Sequence, residues 1–160
     1  MARKRSAGIL LYRRRAGALE VFLVHPGGPF WARKDEGAWS IPKGEYEPPE
    51  DPLKAAKREF AEETGFDIRG TFVALSEQRQ PSGKIMSVWA VEGDADEAAL
   101  RSNTFTMEWP PKSGTLRSFP EVDRGMWFNM ATARRKIHPG QRPFLDELET
   151  IVQGRTIQSR

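Results

Sequence analysis

The length, composition and charge of the chain exclude several classes of protein. The chain has 160 residues, of which 38% are hydrophobic and 29% charged, and it carries a formal net charge of +3, values typical of one folded, water-soluble domain. It contains no cysteine and only two histidines, which excludes disulfide frameworks, cysteine nucleophiles, thiolate zinc sites and three-histidine metal sites. No apolar run is long enough to span a bilayer, and we find no secretory signal. The sequence therefore favours a cytoplasmic protein without a membrane partner.

Taken in chain order, the apolar and turn-forming residues predict strands interleaved with helices in a single domain over residues 1–160. Strands are predicted at 7–12, 19–25, 71–76, 85–91, 104–109 and 125–128, with an extended segment at 39–42. Helices are predicted between residues 51 and 65 and at 94–100, 130–137 and 142–152. Loops are predicted at 26–38, 44–51 and 110–114, and a frayed tail at 154–160. This order of elements indicates an α/β or α+β domain.

Charge is distributed unevenly along these elements. Residues 1–15 carry six basic and no acidic side chains, and residues 134–160 carry six basic and three acidic ones. The remaining 13 basic and 19 acidic side chains lie in residues 16–133, so the centre is predicted to bind cations. The basic ends, including a predicted arm at residues 1–5, could attract polyphosphate or RNA. Solvated arms are the more common explanation for such ends.

The helix after residue 51 has unusually complete start and stop signals. Asp51 suits the N-cap, Pro52 suits the first helical position, and Gly65 suits a left-handed C-cap. Leu53 and Phe60 recur at helical spacing and predict one buried face.

Three carboxylates share the neighbouring face of this helix. Glu59, Glu62 and Glu63 stand at positions i, i+3 and i+4, and such close like charges repel unless a cation holds them. Mg²⁺ or Mn²⁺, which prefers oxygen ligands, suits this cluster. Arg58 can pair with a carboxylate and fix its rotamer. These residues alone leave open a solvated acidic face, which is common on helices.

The surrounding residues favour the metal site. Gly44, five residues, Glu50, seven residues and then Arg58-Glu59-Phe60-Ala61-Glu62-Glu63-Thr64-Gly65-Phe66 match every specified position of the Nudix hydrolase signature. The segment Trp39-Ser40-Ile41-Pro42-Lys43-Gly44-Glu45 resembles the lead-in of many members of that family. With two preceding strands and a late tryptophan, the resemblance extends over residues 6–150.

The resemblance implies a Nudix fold, an α/β/α sandwich around a mixed β-sheet, and hydrolysis of a nucleoside diphosphate linked to another group. It implies metal binding by Glu59, Glu62, Glu63 and the backbone carbonyl of Lys43. Arg58 then orients the cluster, Glu50 is its structural partner, and Gly44 and Gly65 allow the turns that enter and leave the motif.

A proton acceptor must deprotonate the attacking water, and in this family an acidic residue outside the motif often serves. Glu63 is one candidate. Glu121 lies six residues before Trp127, the spacing of a glutamate in the branch that cleaves dinucleoside tetraphosphates. We therefore predict Glu121 as a second base or an additional metal ligand, with Asp123 and Glu108 as weaker choices.

The substrate is less well defined. The 26–38 loop contains Phe30, Trp31, Arg33 and Lys34, which could stack a base and bind phosphates, and Lys43 could also bind phosphate. Dinucleoside polyphosphates or nucleoside triphosphates are preferred, with 5′-triphosphorylated RNA, ADP-ribose and diphosphoinositol phosphates as alternatives.

Two readings from other classes, and the oligomeric state, stay open. The fold could serve an inactive nucleotide-sensing module, although the complete set of motif glutamates argues against it. A nucleic-acid-binding domain rests only on the sequence pI of about 9.4. Either a monomer or a homodimer fits the sequence.

Overall fold

A mixed β-sheet between two layers of helix forms the centre of the molecule. The computed structural model describes residues 4–158, with side chains up to residue 154. The strands are β1 (Arg5–Arg15), β2 (Ala18–Pro26), β3 (Lys43–Tyr46), β4 (Val73–Ala74), β5 (Gln78–Arg79), β6 (Ile85–Glu92), β7 (Thr104–Glu108), β8 (Leu116–Pro120) and β9 (Val122–Asn129). The helices are α1 (Pro52–Thr64), α2 (Met130–Lys136) and α3 (Arg142–Gln158), with short 3₁₀ turns at Glu97–Ala99 and Pro139–Gln141.

Strand β1 lies at the centre of the seven-stranded main sheet. It pairs in parallel with β6 and antiparallel with β2 and β3, while β9 extends the sheet beyond β2. Strands β4 and β5 are short and pair with β6. Because β1 is buried on both faces, its residues from Ala7 to Tyr12 form a continuous apolar run instead of alternating with polar ones.

The side chains of β1 point alternately into two cores. Ile9 and Leu11 pack in the core that includes Ala56 and Phe60 of α1. Leu10 and Tyr12 lie in the opposite core, which includes residues of α2 and α3. This alternation follows the two-residue period of a strand, and the two helical layers confirm the predicted α/β/α sandwich.

Several predicted boundaries are wrong. The predicted loop at 44–51 begins with strand β3, whose polar residues pair with β1 rather than follow an apolar pattern. The strand predicted at 71–76 is reduced to β4, and the helix predicted at 94–100 is a three-residue 3₁₀ turn. The strand predicted at 125–128 begins at Val122, because its first residues pair with the end of β2. Strand β8 was missed because four of its five residues are exposed.

Strands β7 and β8 form a separate two-stranded hairpin.

At the chain ends, residues 1–3 of the predicted basic arm and residues 159–160 of the predicted tail lie outside the described residues. Arg5 belongs to β1, and helix α3 extends to Gln158. None of the helices in the described part of the chain has the length and apolar character needed to cross a membrane.

Candidate active site

Helix α1 is held at both ends by the signals in its sequence. The side chain of Asp51 accepts a hydrogen bond from the backbone N–H of Lys54 at 3.0 Å. Gly65 adopts a left-handed conformation with φ of 76°, and its N–H donates to the carbonyl of Ala61 at 2.8 Å. The caps fix where the helix begins and ends, and therefore which face Glu59, Glu62 and Glu63 occupy.

Glu59 points from this helix into the backbone of strand β3. Its side chain is buried, and a Cβ atom at Gly44 would overlap its carboxylate. Gly44 has a φ outside the left-handed region, so its requirement for glycine comes from this close approach and not from the turn that we predicted. Burial raises the pKa of Glu59, and the hydrogen bond from Arg58 opposes that rise.

Arg58 connects the acidic residues of the motif. Its Nε and Nη2 donate to the two carboxylate oxygens of Glu50 at 2.8 and 2.9 Å. Its Nη1 donates to Glu59 at 2.8 Å and to Glu62 at 3.3 Å. These bonds, with that to Glu50 first, raise the pKa of the guanidinium further above its usual range. The contacts match the predicted pairing of Arg58 with Glu50 and with carboxylates of the motif, here Glu59 and Glu62.

Glu63 lies against the start of strand β3. Its Oε1 accepts a hydrogen bond from the backbone N–H of Lys43 at 3.2 Å. Burial raises the pKa of the Glu63 carboxyl to about 8, Lys43 opposes the rise, and the nearby carboxylates of Glu59 and Glu121 add to it. A carboxyl with this pKa retains its proton at neutral pH unless a cation replaces that proton.

Glu121 is far from the motif in sequence but is connected to it by backbone hydrogen bonds. The N–H of Asn103 donates to the carbonyl of Glu62, and the N–H of Glu121 donates to the carbonyl of Asn103, each at 2.8 Å. The N–H of Gly27 then donates to the carbonyl of Glu121 at 2.9 Å. Glu121 also contributes to the raised pKa values of Glu59 and Glu63, so its charge lies near both.

The oxygen atoms of this cluster have the chemistry that suits a divalent cation. The cluster offers carboxylate oxygens, which hard cations prefer, and it contains the half-buried carboxyl of Glu63, whose raised pKa a cation would lower. Within residues 4–158, no three acidic or histidine side chains already converge on one point. Arg58 instead occupies the space between Glu59 and Glu62, so a bound cation would share these carboxylates with the guanidinium.

The predicted substrate-binding residues of the loop between β2 and β3 (residues 27–42, the β2–β3 loop) lie on two different sides of that loop. Lys34 lies over the ring of Trp31, with Nζ 4.9 Å from the centroid. Phe30 instead packs edge-on against Trp109, after the β7 strand, at 5.3 Å between centroids. Arg33 is exposed. Trp31 and Lys43 line a common cavity, so the structure brings these two predicted residues together and separates Phe30 from them.

His25 connects the β2–β3 loop to the segment that follows Glu121. The side chain is fully buried. Its Nδ1 lies 2.9 Å from Oδ1 of Asp123, and its Nε2 lies 2.6 Å from the carbonyl oxygen of Lys34. Sequence reasoning missed this bridge, because only the pairing of β2 with β9 brings its partners together. Asp123 is therefore engaged elsewhere, as is Glu108, which accepts the N–H of Lys112 at 2.8 Å.

Comparison with known proteins defines the class to which this fold and site belong. A family model described as the NUDIX domain matches residues 2–148. The chain therefore belongs to the Nudix family and is a Nudix pyrophosphohydrolase by that membership. Nudix hydrolases generally need divalent metal ions.

Solved structures with very different sequences share the fold. An Ap4A hydrolase from C. elegans, solved as a binary complex, has 21% identity and a TM-score of 0.67, over 94% of this chain and 98% of that one. The NUDIX domain of Shewanella oneidensis NrtR complexed with ADP ribose has 16% identity and a TM-score of 0.59, over 99% of this chain and 90% of that one. A mutT/nudix family protein from Listeria innocua has 14% identity and a TM-score of 0.66, over 99% of each chain. At these identities the similarity shows the fold.

Proposed function

We propose that the chain is an active, metal-dependent enzyme that cleaves a P–O–P bond in a nucleoside diphosphate linked to another group. The observation that carries this proposal is the complete arrangement around Arg58, which contacts Glu50, Glu59 and Glu62 in one network. The charge of Glu121 raises the pKa of Glu63. The acidic residues of the motif therefore act together with one residue from outside it.

The proposed roles follow from these positions. Glu59, Glu62, Glu63 and the backbone carbonyl of Lys43 would hold Mg²⁺, or Mn²⁺ in its place, and Glu121 would be a further ligand or the base. When bound, such an ion neutralises phosphate charge and lowers the pKa of water. Gly44 lets Glu59 approach β3, and Gly65 ends α1 beside Glu63.

The chain's own residues then handle the proton and the geometry. The oxygen of the attacking water forms a bond to phosphorus as the anhydride P–O bond breaks, and the leaving phosphate departs with the bond electrons. Glu63 or Glu121 accepts the proton of that water. Arg58 keeps the carboxylates oriented throughout, because its fork binds Glu50 at two points.

For the substrate we propose a dinucleoside polyphosphate or a nucleoside triphosphate. Glu121 precedes Trp127 by six residues, the spacing that resembles the dinucleoside tetraphosphate branch, and the fold resembles that of the C. elegans Ap4A hydrolase. Trp31, Arg33, Lys34 and Lys43 would contact base and phosphates. Residues 1–160 would act as a single domain, and its cytoplasmic location and its state as a monomer or homodimer stay predictions.

Product analysis by chromatography tests the proposal. The purified protein with Mg²⁺ or Mn²⁺ is given diadenosine tetraphosphate, nucleoside triphosphates, ADP-ribose, 5′-triphosphorylated RNA and diphosphoinositol phosphate. We expect diadenosine tetraphosphate or a triphosphate to be cleaved fastest, and the doubly substituted variant Glu62→Gln/Glu63→Gln to be inactive. Fastest cleavage of another substrate would keep the chemistry and reject the substrate. Binding without metal-dependent cleavage of any of them would instead favour a nucleotide-sensing module.

A further inference from the structure

A short segment before strand β7, residues 101–103 (the 101–103 segment), lies between helix α1 and the part of the chain that carries Glu121. Its backbone completes the C-terminal end of α1. The N–H of Arg101 donates to the carbonyl of Thr64, and the N–H of Asn103 donates to the carbonyl of Glu62, each at 2.8 Å. Because the last carbonyls of a helix have no partner within the helix, this segment supplies donors that α1 itself lacks.

The approach of this segment leaves no room for a side chain at the end of α1. A Cβ atom at Gly65 would lie 2.9 Å from the carbonyl oxygen of Arg101 and 3.1 Å from its Cβ. Glycine is therefore required at this position twice, for the left-handed conformation of the C-cap and for this close contact. The 101–103 segment is thus packed directly on the helix that carries the motif glutamates.

The side chain of Ser102 joins the same segment to the start of strand β9. Its hydroxyl group accepts a hydrogen bond from the backbone N–H of Val122 at 3.0 Å and donates one to the carbonyl of Asn103 at 2.8 Å. That carbonyl also accepts the N–H of Glu121 at 2.8 Å. The N–H groups of two consecutive residues, Glu121 and Val122, are therefore both held by this one segment.

The bond to the hydroxyl group lies where strand β9 begins irregularly. Val122 is buried, and the register of β9 against β2 shifts between His25 and Pro26, beside Val122. Residues at such an irregularity lose part of the regular ladder of hydrogen bonds. Since a buried N–H without a partner is unfavourable, the hydroxyl group of Ser102 stabilises this start of the strand.

Electrostatic repulsion acts against the position of Glu121. Its charge adds to the raised pKa values of Glu59 and Glu63, so its carboxylate lies near both, and like charges at short distance repel. Among residues 4–154, no hydrogen bond or ion pair holds the Glu121 carboxylate itself. The place of this carboxylate therefore depends on how firmly its backbone is held.

We propose that Ser102 is a positioning residue, whose hydroxyl group fastens the backbone of Glu121 and Val122 to the 101–103 segment and so holds Glu121 beside the glutamates of α1. The role is indirect, because the hydroxyl group binds backbone atoms only. The inference rests on the proposed function in one respect, since the hydroxyl group affects turnover only if Glu121 is a metal ligand or the base.

Three variants separate the hydroxyl group from the rest of the side chain. Ser102→Ala removes both hydrogen bonds, and Ser102→Thr keeps the hydroxyl group. Ser113→Ala is the matched control, because it removes a similar bond, from the N–H of Thr115 at 3.1 Å, in the turn of the same hairpin. With the nucleotide that the wild type cleaves fastest, we expect Ser102→Ala to lower kcat about tenfold with little change in KM. Ser102→Thr and Ser113→Ala should keep the kcat of the wild type.

A double-mutant cycle tests whether Ser102 acts through Glu121. In the Glu121→Gln background, Ser102→Ala should lower kcat by no more than about twofold, because the carboxylate that it positions is already gone. A full further tenfold loss would show that the two residues act independently and would overturn the assignment. An unchanged kcat in Ser102→Ala alone, or an equal loss in Ser102→Thr, would also overturn it.

Amide hydrogen exchange separates failure of this inference from failure of the proposed function. In the metal-free protein, the N–H groups of Glu121 and Val122 should exchange about tenfold faster in Ser102→Ala than in the wild type, and Ser113→Ala should leave them unchanged. Equal exchange in Ser102→Ala and the wild type would overturn the inference whether or not the protein hydrolyses any substrate. If the wild type cleaves nothing while exchange still depends on the hydroxyl group, the positioning of Glu121 by Ser102 stands and the proposed function falls.

Discussion

Helix α1 and the β2–β3 loop hold their functional residues in opposite ways. The carboxylates of α1 are positioned by caps, by the backbone of β3 and by Arg58, within a short stretch of sequence. The loop carries exposed side chains and is anchored from a distant strand, through the bridge that His25 makes between the Lys34 carbonyl and Asp123. The contrast indicates that the proposed metal ligands of α1 are positioned by residues close in the chain, while the residues proposed to bind the substrate depend on tertiary contacts. Substitutions in the two regions should therefore affect kcat and KM differently.

The largest expected effect is at Glu63 in the helix region. Glu63→Gln removes a proposed metal ligand or base while keeping the size of the side chain, so activity should fall about a hundredfold or more in kcat. Steady-state kinetics with Mg²⁺ measures this loss, and circular dichroism checks that the fold is kept. Glu92→Gln, at an exposed position on β6, is the matched control and should be fully active. Turnover of Glu63→Gln close to that of the wild type would remove Glu63 from the mechanism.

The next effect is at Glu121, which joins the two regions through its backbone. Glu121→Gln removes a proton acceptor or ligand, and we expect slower turnover at neutral pH, by about ten- to a thousandfold. A pH–rate profile distinguishes a base from a structural residue, because loss of the base also changes the profile. Glu108→Gln is the control, since its carboxylate only accepts a bond within the hairpin turn. An unchanged profile in Glu121→Gln would assign the base to another residue.

A smaller effect is expected where the loop is anchored. His25→Phe keeps an aromatic ring against Trp39 but loses the contacts to Asp123 and the Lys34 carbonyl. We expect KM for nucleotides to rise severalfold with little change in kcat, and the thermal midpoint to fall by a few degrees, because buried hydrogen bonds are lost. Asp123→Asn, at the other end of the bridge, should have a similar but weaker effect. A loss confined to kcat would show that His25 acts on the reaction centre and not on the loop.

The smallest expected effect is on stability in the absence of metal. Burial raises the pKa of Glu63 to about 8, so between about pH 5 and pH 8 the folded protein keeps a proton that the unfolded chain releases. The free energy of unfolding should therefore decline with rising pH more steeply in the wild type than in Glu63→Gln. Urea unfolding in the presence of a chelator, at unit intervals over this range, measures the difference. Parallel pH dependences in the two proteins would show that Glu63 titrates at an ordinary pKa.

Sequence reasoning predicted what local signals control. The caps of α1 follow from residues close in the chain, the pairing of Arg58 with Glu50 was implied by the resemblance to the Nudix signature, and the structure contains both. Strand β8 was missed because four of its five residues are exposed, and the bridge made by His25 could not be predicted because Asp123 lies 98 residues away in the chain. The cavity lined by Trp31 and Lys43 also includes His138, which in the sequence resembles an ordinary residue before a proline, because only the fold brings these segments together.

The chain of backbone hydrogen bonds from Glu62 through Asn103 and Glu121 to Gly27 has a consequence for how this protein can diversify. These bonds hold the open end of the β7–β8 hairpin, and the turn at residues 110–115 lies at the opposite end. Main-chain bonds do not depend on side-chain identity. We therefore expect that residues 110–115 can be lengthened, shortened or exchanged while Glu121 keeps its place beside helix α1.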